Sequence, residues 1–424
     1  MSFGQRLQEI REGFHRPFWV ANITELFERL SYYGVNAVLA IYLHETLKFS
    51  QSEAGDMVGF FGGVVWFLPI LGGTLADRFG FRRSLAFAYL IMSVGYFLLG
   101  SLSASWMEPL RNAMPLSTLV LLILVIPALG PAIVKPCVVG TTARASNENV
   151  RSLGYSIYYT LVNVGGAAGP FVASVVHERW GDRYVFHVAA LSVFLMFFGV
   201  VLFFKEPAHD AQQRAASIAD ALKNFWTVVT NFRFMLFLVI FSGYWVVFWQ
   251  EFIGLPLYLR SFLSAGQIER ILITDAATVI VFQVLISYLT RKIPTFAALT
   301  LGTLVSAVSW LILAGRPSAM MAVVTLVVLA LGEMIQSPRY YEYISRLAPV
   351  GQQGTYMGFA FLPIAIGFFI GGRLGGRLVQ HFTAVGQPER IWWVITGIGL
   401  LTTLLMWIYD RVFKPGEQEA ANRS

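Results

Sequence analysis

The stretch GGTLADRFGFRRSL, residues 72–85, is a short glycine- and arginine-rich loop between two long apolar runs, roughly 54–76 and 84–103. Each run is about the 20 residues that carry a helix across the hydrocarbon core of a bilayer. Outward from this pair, the same pattern recurs along the chain. Apolar segments fall at about 17–43, 54–76, 84–103, 117–140, 152–175, 186–204, 234–259, 270–290, 295–315, 318–345, 355–379 and 391–412. They divide six and six around the longest polar stretch, 205–233, which reads as a linker carrying an amphipathic helix near Ile218 to Phe225. The expected fold is an all-α membrane protein of twelve transmembrane helices. It should form an N-terminal bundle (1–204), a cytoplasmic linker (205–233) and a C-terminal bundle (234–424).

Composition agrees with this pattern. Hydrophobic residues make up 56% of the chain and charged residues 13%, against about 25% charged in soluble domains; mean hydropathy is +0.63. Lipid accepts apolar surface on every side of a bundle, whereas water does not. The net charge of +7 therefore speaks for basic cytoplasmic loops rather than for nucleic acid. Of the 31 Lys and Arg residues, 19 lie in loops or span ends that are inside if the N-terminus is inside, 10 lie toward the outside, and Arg29 and Lys135 are counted as lying within spans. Both termini are thus expected in the cytoplasm, with the protein in the inner (plasma) membrane. The polar start, MSFGQRLQEIREGFHR, runs into an apolar segment too long for a signal-peptide core. Cys137 is the single cysteine, so no intrachain disulfide forms, and no Cys/His spacing suggests a metal site. The six histidines mostly fall near span ends and read as interfacial.

Charge inside the spans is the strongest chemical signal. A charge at the centre of a membrane helix costs about 2.5–3.5 kcal/mol on insertion scales, yet Glu25, Glu28 and Arg29 share the first span. Lys135 lies in the fourth, Asp275 in the eighth and Glu333 in the tenth. Positions 25, 28, 29, 32 and 36 lie on one helical face: Glu25, Glu28, Arg29, Tyr32 and Asn36. Such a stripe is expected to line a polar cavity between the halves rather than face lipid. A Glu25–Arg29 pair at i,i+4 would neutralise two of the three charges. That leaves Glu28 to pair with Lys135 and exchange a proton as the cavity opens. Prolines in or beside the spans, among them Pro127, Pro131, Pro136 and Pro338, supply bends.

These residues also carry a resemblance. The 72–85 loop resembles the cytoplasmic signature of the major facilitator superfamily, with Gly73, Asp77, Arg78, Gly80 and Arg82 in matching positions and Phe81 where a basic residue is common. TELFERLSYYG (24–34), PAIVKP (131–136), YSIYYTLVNVGG (155–166), FWQEF (248–252), and LGEMIQSPRYYEYISRLAP with GTYMGFAFLPIAIGFFIGG (331–349 and 354–372) resemble motifs of the proton-dependent oligopeptide transporters. The resemblance implies a proton-coupled symporter of peptides or peptide-like zwitterions, working by alternating access, with protons as coupling ion and no other cofactor. It assigns proton coupling to Glu25, Glu28, Arg29 and Lys135. Substrate contacts would come from Tyr32, Tyr33, Asn36, Lys135, Tyr159, Asn163, Trp249, Gln250, Asp275 and Glu333, and gating from the 72–85 loop.

Departures from that family are part of the reading. Asn36 stands where the family usually has a second arginine, Asp275 where it commonly has asparagine, and Arg339–Tyr340 where Gly-Leu-Ser is usual. Residues 205–233 leave no room for the two extra helices of many bacterial members. Together Asn36 and Asp275 shift the site toward negative charge, and so toward more cationic substrates. A proton-linked exporter of drugs or cationic amines is the alternative function. A membrane enzyme or sensor finds no nucleophile elbow, metal cluster or effector domain. The partners expected are the bilayer and a small-molecule substrate, with the chain acting as a monomer.

Overall fold

The computed structural model describes residues 13–69, 79–147, 150–206, 226–315, 317–347 and 353–413. These residues are almost entirely helical. Twelve helices of 15 residues or more follow one another: α1 (Arg16–Ile41), α2 (Gln51–Phe67), α3 (Phe81–Gly100), α4 (Leu116–Arg144), α5 (Arg151–Trp180), α6 (Asp182–Phe203), α7 (Phe232–Phe248), α8 (Ala265–Thr290), α9 (Thr295–Ser309), α10 (Ala319–Leu347), α11 (Leu362–Ala384) and α12 (Arg390–Phe413). Ten of the segments, from Phe81–Gly100 onward, are long and apolar enough to cross a membrane. The other two are α1, with its four charged residues, and α2, which has 17 described residues. The bounds track the apolar runs to within a few residues, except that the end of the second run lies outside the described residues and the seventh and eleventh runs are each broken. α7 gives way to a tight turn at Trp249–Glu251 and a short helix at Gly254–Leu259, and the short helix Gln353–Phe359 precedes α11.

By contact the chain divides into two compact units. One is Met1–Asn36 with Leu71–Ile218, the other Ala37–Ile70 with Ala219–Ser424. The departure from a simple split at 205–233 is the second span, which groups with the later helices through α11. Glycine is the reason. A Cβ added at Gly372 would sit 2.3 Å from Gly59 Cα and 2.4 Å from Gly55 O, so α2 and α11 touch backbone to backbone, as small residues permit. At this seam Asp56 of α2 draws Arg373 and Arg377 of α11 to 3.7 and 3.8 Å. In the same unit Arg260 pairs with Glu45 at 2.6 Å. Gly372→Val is therefore expected to destabilise the protein by about 3 kcal/mol through overpacking. Gly397→Ala, where a Cβ meets nothing within 4 Å, should be neutral. Thermal unfolding in detergent compares the two, and equal midpoints would show that the seam yields freely.

In the first unit, α5 approaches α1 in the same way. A Cβ at Gly165 would lie 2.7 Å from Leu26 O and 2.8 Å from Arg29 Cβ. This contact places the polar start of α5 against the charged face of α1.

Candidate functional site

The charged face of α1 is buried in full. Glu25, Glu28, Arg29, Tyr32 and Asn36 are each at most 1% exposed. The pairing differs from the one expected. Arg29 takes Glu28, not Glu25: its Nε donates to Glu28 Oε2 at 2.5 Å and an Nη to Oε1 at 2.7 Å. Neighbours in a helix do not ordinarily face each other. Here two long side chains curl together into a bidentate pair, the strongest geometry open to guanidinium and carboxylate. The guanidinium also lies over the Tyr32 ring, 4.9 Å from its centroid, and Tyr32 meets Tyr33 edge-on at 5.3 Å.

Glu25 is the acid left over. Tyr158 of α5 donates to its Oε1 at 3.2 Å, while Oε2 is buried with no hydrogen-bond partner. Lys135 of α4 is half-buried and within electrostatic range of Arg29, Glu25 and Glu28. It sits in a helix weakened by three internal prolines, Pro127, Pro131 and Pro136, each of which removes one backbone donor from the ladder. The first unit thus brings together Glu25, Glu28, Arg29 and Lys135, as the sequence suggested, with the two glutamates in exchanged roles. Asn36, one turn beyond Tyr32, is fully buried and leaves both amide atoms without a partner. Asn163 donates its amide to the Tyr159 carbonyl one turn back at 2.9 Å, and the Tyr159 ring is 41% exposed.

The second unit holds the other set. Where α7 breaks, Gln250 donates to Val246 O at 2.9 Å and to Gly371 O of α11 at 3.1 Å. Trp249 stacks on Phe368, centroids 3.9 Å apart. Between these two anchors the turn points Glu251 inward, 0% exposed, with neither carboxylate oxygen hydrogen-bonded. Glu251 was missed as a site residue. Its signal in the sequence is an acid inside the apolar run FWQEF; the resemblance assigns contacts there to Trp249 and Gln250 only. Asp275 on α8 is half-buried with Oδ1 unpartnered, and Glu333 on α10 is half-buried. Glu251 is within electrostatic range of both, and Glu333 of Asp275. Tyr340 instead serves packing: its hydroxyl donates to Ala360 O at 2.7 Å and its ring stacks on Phe241.

Of the loop motif, Gly73, Asp77 and Arg78 lie outside the described residues. Gly80 takes a left-handed φ of 81° at the start of α3, a conformation that suits glycine. The next two backbone amides, of Phe81 and Arg82, donate to Glu206 at 2.7 and 2.8 Å, an acid at a helix N-terminus where it is favoured. Arg82 donates to Val201 O at 2.5 Å. By hydropathy Glu206 falls in the polar stretch 205–233. Among the described residues no group of three or more His, Cys, Asp and Glu side chains is placed to hold a metal.

Twelve long, mostly apolar helices with charged clusters buried inside them define a multi-pass membrane protein. The family model of the Major Facilitator Superfamily matches residues 22–362 and 263–423, and the chain belongs to that superfamily. Among similar proteins, dipeptide and tripeptide permease B of Photorhabdus asymbiotica subsp. asymbiotica is 26% identical over 191 residues, 44% of this chain and 37% of the permease. The chain thus matches little more than a third of that relative's length. Multidrug resistance protein MdtH of Klebsiella pneumoniae subsp. pneumoniae is 22% identical over 383 residues, 89% of this chain and 90% of MdtH. The fold is shared with solved transporters. One is a POT family transporter in complex with 5-aminolevulinic acid (TM-score 0.74, 18% identity, 93% of this chain and 96% of that one). Another is a peptide transporter POT in complex with sulfate (0.75, 19%, 95% of each).

Proposed function

We propose that the protein is a proton-coupled secondary transporter that imports peptides or peptide-like zwitterions across the inner membrane, with both termini cytoplasmic. The observation that carries this reading is Glu25: a buried carboxylate with one unpartnered oxygen, within range of Lys135 and beside the closed Glu28–Arg29 pair. A group so placed is stable neutral or compensated, and changes protonation when a neighbouring cation is drawn to a ligand. A substrate carboxylate that engages Lys135 takes that cation's field away from Glu25 and favours proton uptake there. Substrate and proton occupancy are linked by this arrangement without any metal or organic cofactor. The similarity to dipeptide and tripeptide permeases supports the substrate class. Within the first unit Lys135, Asn36, Tyr33 and Tyr159 would serve acidic and polar parts of a substrate and Asn163 an amino group; within the second unit Trp249, Gln250, Asp275 and Glu333 would serve an amino group.

The test is direct. Dialanine added to proteoliposomes should drive acidification of the lumen, and an imposed inward proton gradient should accumulate dialanine. Glu333→Gln should raise the half-saturating concentration about 10–100-fold, the equivalent of losing roughly 1.5–3 kcal/mol of charge-assisted hydrogen bonding, with expression unchanged. Unaltered affinity would make Glu333 structural.

A second reading, proton-driven export of cationic drugs or amines, is supported by the similarity to MdtH over 89% of the chain. Extrusion of an organic cation against an inward proton gradient, without dipeptide-driven proton entry, would establish it in place of the first.

A further inference from the structure

The two charged clusters differ in kind. The one in the first unit is nearly self-neutralising, because Glu28 and Arg29 close on each other and Lys135 stands by Glu25. In the second unit Glu251, Asp275 and Glu333 lie within electrostatic range of one another, and no cation pairs with any of them among the described residues. We propose that this cluster binds an organic dication, with one amino group at Glu333 and a second at Asp275. The inference rests on reading the second unit as part of the substrate site.

The geometry supports two-point contact. α8 packs along α10 through Val279, Ala330 and Met334, which form one buried cluster, and the Gln283 amide donates to Met334 O at 3.5 Å. Asp275 lies one turn before Val279 on α8, and Glu333 adjoins Met334 on α10. Both carboxylates therefore flank one helix seam, from opposite sides. Both residues are half-buried, and Asp275 Oδ1 is without a hydrogen-bond partner.

Glu251 adds an independent observation. It comes from neither helix, but from the turn after α7. It is 0% exposed with both oxygens unpartnered, and its field falls on Asp275 and Glu333. One turn along α10 from Glu333, Gln336 is likewise 0% exposed with Oε1 unpartnered, a further acceptor oxygen. Buried carboxylates persist when paired with a proton or a cation, and three together, with no base among them, favour a ligand of more than one positive charge over a single amine. Asp275 is the residue that makes the difference between one amine and two.

Binding to the purified full-length protein tests this without requiring transport. The probes are 1,4-diaminobutane against butylamine, and Lys-Ala against Ala-Ala, each titrated by thermal shift in detergent. The diamine and the lysyl peptide are expected to bind at least about tenfold more tightly than their singly aminated counterparts. Asp275→Asn should erase that margin, with the diamine and butylamine then binding alike. If Asp275→Asn does not fold, the two probe pairs on the unmodified protein still decide. Equal binding within a pair, or a margin that survives Asp275→Asn, overturns the proposal. The outcome is separable from the transport reading: Ala-Ala that drives proton entry with no advantage for Lys-Ala refutes only the dication. A diamine margin without dipeptide-driven proton entry refutes only peptide symport.

Discussion

Glu28→Gln is expected to destabilise the folded protein by roughly 3–5 kcal/mol, because it strands Arg29 as a fully buried charge whose bidentate partner has become neutral. Arg29→Gln should cost about as much, by stranding Glu28. Removing both charges together should recover a large part of the loss, since the cost of each single change is mostly that of the orphan and not the worth of the pair. Thermal unfolding of the three variants in one detergent measures the cycle. Additive losses would show that the pair at 2.5 and 2.7 Å does not act as a unit. A transport assay on Glu28→Gln alone would then report folding rather than coupling, so stability has to be read first.

The other large effect is expected at Glu25. Glu25→Gln keeps the size of the side chain, retains an oxygen for the Tyr158 hydroxyl, and leaves the Glu28–Arg29 pair untouched. Its cost in stability should stay near the 1 kcal/mol of an ordinary hydrogen-bond perturbation. Its cost in function should be near total: accumulation driven by a proton gradient should fall to background, because the side chain no longer takes up a proton. Counterflow, which exchanges substrate with no net proton movement, should continue. Proton-driven accumulation that survives Glu25→Gln would remove Glu25 from the coupling step and return it to Glu28. The assignment reverses the one that helical spacing alone suggested, and the reason is specific. An i,i+4 pair between Glu25 and Arg29 is sterically available. However, Arg29 also lies over Tyr32 and against Gly165 of α5, and from that position its fork closes on Glu28.

The twelve helices, the bounds of most of them and the charges Glu25, Glu28, Arg29, Lys135, Asp275 and Glu333 inside them were legible in the sequence. Each follows from local rules: a bilayer sets the length of an apolar run, the 3.6-residue period collects Glu25, Glu28, Arg29, Tyr32 and Asn36 on one face, and an unpaired charge in lipid is too costly to occur without purpose. Tertiary structure alone decided which acid Arg29 holds, since that depends on neighbours from α5 and on rotamers, not on spacing. It also brought Glu251 together with Asp275 and Glu333. Three acids 24 and 58 residues apart in sequence carry no mutual signal until the turn after α7 and the α8–α10 seam put them in range of one another. Glu206 became a helix cap only through the return of the chain after α6 to the start of α3. The second span was assigned by hydropathy to the first bundle, yet it packs with α11. Hydropathy records that a helix is buried in lipid or protein, while the glycines at 55, 59 and 372 decide which backbone it touches.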